Sequence, residues 1–108
     1  MQFYPYKNNK PHTPMDNITP IQKELLDSIH FPKQEVLSTA KQIEQRTSEA
    51  KRAMKLGNSS DNNKVKIVFE DTVGKKMIET TVWGVTDKYI LLKRGMSLPL
   101  HRIHEIII

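Results

Sequence analysis

The densest polar cluster in the chain is His101-Arg102-Ile103-His104-Glu105. Two histidines three apart beside an acid are ligand types of a transition-metal site. His12 and His30 lie far away, and the chain has no cysteine. With no third ligand in reach, neither a metal nor a cofactor is expected. The same cluster suits phosphate and base contacts: His101 and Arg102 would act with Lys93 and Arg94 on the preceding turn and with Lys88 before it. A structural use competes with that one, because His101 and Arg102 can also satisfy carbonyls and carboxylates where a small β unit closes. Trp83, the single tryptophan, and Tyr89 are core or interface residues by type. If both faced solvent beside Lys88 and Lys93, they would form a base-stacking surface.

Enzyme motifs are missing. There is no Gly-rich phosphate loop, no Ser-centred elbow and no His-Glu-x-x-His. Glu70, Asp71 and Glu79 fall at a hairpin and read as solubilising edge charges. No catalytic residue is assigned.

These side chains need elements to position them. Residues 1–18 contain Pro5, Pro11 and Pro14, which rule out a regular helix or a central strand. An extended arm, disordered on its own, is expected. Its Phe3, Tyr4 and Tyr6 would anchor it on a protein groove or on its own domain, or stack on bases. Residues 19–57 read as helical. Thr19-Pro20 looks like a cap and first position, starting a helix over about 20–30 with Ile21, Leu25, Leu26 and Ile29 on one face. Pro32 interrupts it. A second helix over about 33–56 follows, with Gly57 just past its end and Glu35 near its start. Val36, Ile43 and Met54 lie on its heptad-like stripe, together with Ala40, Thr47 and Ala50. That stripe offers a partner-docking face or leans on the β half. Arg46, Lys51, Arg52 and Lys55 form either a phosphate-contacting cluster or a solvated face.

Residues 58–63 read as a polar linker. From residue 64 onward, short β-rich runs alternate with turn residues. Val65, Ile67 and Phe69 face one side of a first strand. Asp71–Gly74 turns into a second strand from Met77 to Trp83, broken at Gly84. Tyr89-Ile-Leu-Leu92 is continuously apolar, so it is expected to be covered on both faces, by the helix or by a second copy. Ser97–Leu100 is a short edge strand admitting Pro99. His101–Ile103 is a one-turn 3₁₀ connection, and 104–108 a final strand. The fold class is α+β: an extended arm and helices, then a small five-stranded antiparallel barrel over 64–108.

This element order resembles the Sm-like and SH3-like small barrels. The run Tyr89-Ile-Leu-Leu-Lys-Arg-Gly-Met-Ser-Leu-Pro-Leu-His-Arg-Ile-His-Glu-Ile is similar to the "Pro-x-His-Arg-Ile" ending of a small archaeal domain family associated with RNA processing. It is similar also to short proteins of Bacteroidetes-type bacteria. The resemblance implies a small barrel and RNA as one class of partner. Arg94-Gly95 stands one strand earlier than the Arg-Gly of Sm proteins.

Seventeen Lys and Arg against twelve Asp and Glu leave a formal charge of +5. The excess is spread along the chain, with nine basic and six acidic groups in residues 1–60 and eight and six in 61–108. No apolar run reaches the ~18–20 residues of a membrane span, so no membrane is expected. The start of the chain has no signal-peptide pattern, and a cytoplasmic protein is expected. So small a core stabilises only weakly, so helix packing or homo-oligomerisation is expected to contribute. The function expected is that of a non-enzymatic adaptor docking on a larger macromolecular assembly, a protein complex, through arm, helix and barrel. The alternative is an RNA-binding small barrel.

Overall fold

The computed structural model describes residues 18–60 and 63–108, and of 23, 24 and 27 only the backbone. The arm with Phe3, Tyr4 and Tyr6 lies outside the described residues. Ile18, expected to end it, is buried.

The protein is α+β. Thr19–Pro20 forms strand β1, followed by a 3₁₀ helix of Lys23–Ser28. Helix α1 is Ala40–Gly57. Strands β2 (Val65–Glu70), β3 (Lys75–Thr80), β4 (Val82–Val85) and β5 (Tyr89–Leu92) follow. A one-turn 3₁₀ helix separates β5 from β6 (Ser97–Pro99), and a second, Leu100–Arg102, leads into β7 (Ile103–Ile107). The first sheet has the order β1-β3-β2-β7 and the second β4-β5-β6.

The expected first helix is absent. Proline has no N–H and fits an edge strand; Thr19 and Pro20 pair in parallel with Lys76 and Met77. The stretch between Pro20 and Pro32 is too short to repay helix nucleation, so a 3₁₀ helix forms and turns Leu26 inward while Leu25 stays exposed. The long helix starts at Ala40, well after residue 33. Thr39 accepts from the Gln42 amide, and the Gln42 side chain accepts from the Thr39 amide. This capping box satisfies two orphan donors and sets the start.

Gly57 is the last residue of α1, without left-handed geometry. A Cβ there would lie 2.0 Å from the Val82 carbonyl oxygen, so close packing of helix on strand requires the glycine. Asn58 and Ser59 cap the helix end through Met54 and Leu56.

β2 and β3 pair antiparallel from Val65–Thr80 to Glu70–Lys75. At their turn the Asp71 carboxylate accepts from the Val73 and Gly74 amides and from Lys76. Asp71 is 6% exposed, which corrects its reading as a solubilising charge. The expected single second strand bends at Thr81, before Gly84. Thr80, Thr81 and Val82 are all buried, and three inward residues in succession mark the passage from one sheet to the other, since a continuing strand alternates.

The strand ladders form two sheets, and no ladder among the described residues closes them into a ring. The expected five strands become six segments after residue 64. The edges of the second sheet do not pair with the first among the described residues. Instead α1 packs on β4 and on β7. One core joins Leu26, Ala50 and Ala53 to Ile67, Phe69, Ile78, Ile90, Leu98 and Ile103. Among the described residues, no helix is long and apolar enough to cross a membrane.

Candidate interaction surface

The polar cluster at 101–105 is used internally. Arg102 is 5% exposed; its Nε donates to the Glu70 carbonyl at 2.9 Å and its Nη1 to that of Gln34 at 2.7 Å. His101 Nε2 lies 3.0 Å from the Pro32 carbonyl oxygen, so that nitrogen carries the proton. The Val36 amide donates to the His101 carbonyl. Together these bonds hold 32–36 out of the helix, Val36 included. His104 turns the other way, to Glu70 Oε1 at 2.7 Å. The two histidines diverge, and among the described residues no three His, Asp or Glu gather as a metal site would need.

Arg46 is also internal, which removes it from the cluster with Lys51, Arg52 and Lys55. Its Nη1 and Nη2 meet the two Glu35 oxygens at 2.6 and 2.8 Å, and Nη1 donates to the Ile103 carbonyl at 3.0 Å. Among the described residues Arg46 Nε has no partner. Burial works to raise the Glu35 pKa, but the Arg46 hydrogen bonds, the Leu37 amide and nearby positive charge outweigh it and hold the carboxyl below its ordinary value. Asp71 is also lowered: burial opposes, and Lys76 with the Gly74 and Val73 amides prevails.

The second sheet presents a different kind of surface. β5 alternates: Ile90 and Leu92 point into the core, while Tyr89 and Leu91 point out, at 45% and 40% exposure. Among the described residues no element of the chain covers its outer face, so the helix is not the cover expected for so apolar a run. Leu91 stands opposite Gly84, and the register shift between Val82 and Gly84 places Trp83 on a bulge, 51% exposed. A Cβ on Gly84 would sit 3.1 Å from Leu91 Cδ1, so the leucine lies over the bare glycine. Trp83, Leu91 and Tyr89 therefore form one contiguous apolar face.

Charges surround it. Lys88 is exposed in the turn before Tyr89, Lys93 is half-buried and Arg94 exposed in the turn after Leu92. Arg94 takes the left-handed conformation, φ 71°, which carries it through a tight turn ahead of Gly95. On the other side the Asn58 amide donates to the Trp83 carbonyl at 3.3 Å, bringing the C-terminal end of α1 alongside. Exposed Lys51 and Lys55 precede Asn58 by seven and three residues and so share its helix face.

Of the residues expected from sequence to bind, Lys88, Lys93 and Arg94 border this face and Trp83 lies in it, whereas His101 and Arg102 do not contribute. Met54 packs against the core, and Val36 and Ile43 are half-buried. Leu91 escaped notice because an unbroken apolar run hides its own alternation. No protein-family model, curated protein or solved structure matches the chain.

Proposed function

We propose that the protein is a non-enzymatic adaptor that docks on a larger macromolecular assembly in the cytoplasm. The docking surface is the outer face of β4 and β5 with the adjoining end of α1. Phe3, Tyr4 and Tyr6 of the N-terminal segment add apolar anchors. One observation carries this reading: a tryptophan, a tyrosine and a leucine lie side by side in solvent on a sheet whose other face is sealed into the core. A contiguous exposed apolar patch marks a binding surface more often than a scatter of single residues does.

The fold belongs with the small SH3-like and Sm-like barrels. Counting β3 and β4 as one bent strand, the succession is four strands, a 3₁₀ turn and a last strand. In this reading α1 stands where those barrels close by strand pairing.

The test compares the native protein with Leu91→Ser, affinity-purified from the source organism and read by mass spectrometry. A defined set of assembly components is expected with the native chain and not with the variant, at equal thermal stability. An identical set from both would reject this face as the docking surface.

A further inference from the structure

We infer that the outer face of β4 and β5 binds single-stranded nucleic acid, with bases stacked on Trp83 and Tyr89 and phosphates held by Lys51, Lys55, Lys88 and Arg94. The inference rests on the reading of this face as the docking surface and names what it contacts.

Charge distribution decides the class of partner. Residues 50–58, the last turns of α1, and 82–99, the second sheet, contain six cations and a single acid, Asp87. That excess of five equals the net charge of the whole chain; elsewhere eleven basic groups balance eleven acidic ones. The excess positive charge is thus carried by these two segments, which meet where Asn58 bonds the Trp83 carbonyl. None of the ion pairs among the described residues engages Lys51, Lys55, Lys88, Lys93 or Arg94. Two copies meeting through this face would bring like charges together, and a neutral apolar protein surface would leave the cations uncompensated.

A single strand offers what the face lacks on both counts. Its bases present flat π-faces, and its phosphates follow at short intervals. Leu91 over Gly84 supplies a flat apolar floor between the two rings. Lys88 and Arg94 stand just beyond opposite ends of β5, whose four residues span about 10 Å at about 3.3 Å per residue, room for a short run of nucleotides. A duplex hides its base faces and would gain only the charge term.

The probes are fluorescently labelled ten-nucleotide oligo(U) and oligo(dT), their duplex counterparts and poly-glutamate, titrated against the full chain. Trp83 is the single tryptophan, so its intrinsic fluorescence reports stacking directly. Single strands are expected to quench it, and duplex and poly-glutamate are not. With four phosphate contacts, raising salt from about 50 to about 200 mM should weaken binding about 50-fold. Tyr89→Ser should cost about 10-fold, and Lys55→Gln should flatten the salt dependence by about one phosphate contact. Preference for oligo(U) over oligo(dT), or the reverse, identifies the natural strand. Equal binding of duplex and single strand, or no loss in Tyr89→Ser, would overturn the inference in favour of plain charge attraction. No binding at low salt, with assembly capture still lost in Leu91→Ser, would overturn it in favour of a protein contact and leave the docking reading standing. Failure of capture and of binding together would remove both.

Discussion

Arg46, Arg102 and His101 are polar residues that act inside the protein. Each donates to a main-chain carbonyl: that of Ile103 for Arg46, of Glu70 and Gln34 for Arg102, of Pro32 for His101. Removing Arg46 leaves the buried Ile103 carbonyl without its donor, while water takes up the partly exposed Glu35. Arg46→Ala is expected to lower unfolding free energy by about 2 kcal/mol in urea titration; a loss within ~0.5 kcal/mol would mean that the Ile103 carbonyl finds another donor. Glu35 and Asp71 make stability depend on acid. Both carboxyls lie below their ordinary values in the folded state, so the unfolded chain takes up protons first as pH falls. Their contribution is complete above the ordinary carboxylate range, about pH 4, and is lost as pH drops through the lower folded values. Melting temperature measured from pH 6 to pH 2.5 should fall, and Asp71→Asn should start lower and fall less. An Asn variant that tracks the native curve would exclude Asp71 as a contributor.

At the scale of elements, α1 and the strand it leans on are joined by an absence of side chain. An exposed helix gains up to ~1 kcal/mol when glycine becomes alanine. At Gly57 the sign reverses, because the added methyl meets the Val82 carbonyl. Gly57→Ala should cost about 2 kcal/mol, read by chemical denaturation, and a stabilised variant would contradict the close approach. Gly57 near the helix end was legible in sequence, but its role was not: a left-handed cap and a packing contact use the same residue. The start of α1 was legible in principle, since Thr39 and Gln42 stand three apart. The stripe through Val36 argued for an earlier start, and only long-range bonds from His101 and Arg102 keep 32–36 out of the helix.

Across the whole molecule, the two faces of β5 differ in what they contribute to stability. Leu92→Ala, in the core, should cost about 3 kcal/mol. Leu91→Ala, one residue earlier, should stay within ~0.5 kcal/mol. Equal losses in thermal unfolding would mean that Leu91 is covered in the free protein.

The sequence by itself determined that short strands follow residue 64, though not that the second splits in two, and it determined the Asp71–Gly74 hairpin and a 3₁₀ entry to the last strand. These depend on neighbours two to four residues apart, on pleat period and on turn chemistry. The tertiary structure alone decided which side of Tyr89–Leu92 is left open, which arginines turn inward, and that the end of α1 meets β4 beside Trp83. Burial and electrostatic proximity are properties of what packs beside a residue, and in this chain the helix end and the second sheet meet only through contacts that no local pattern encodes.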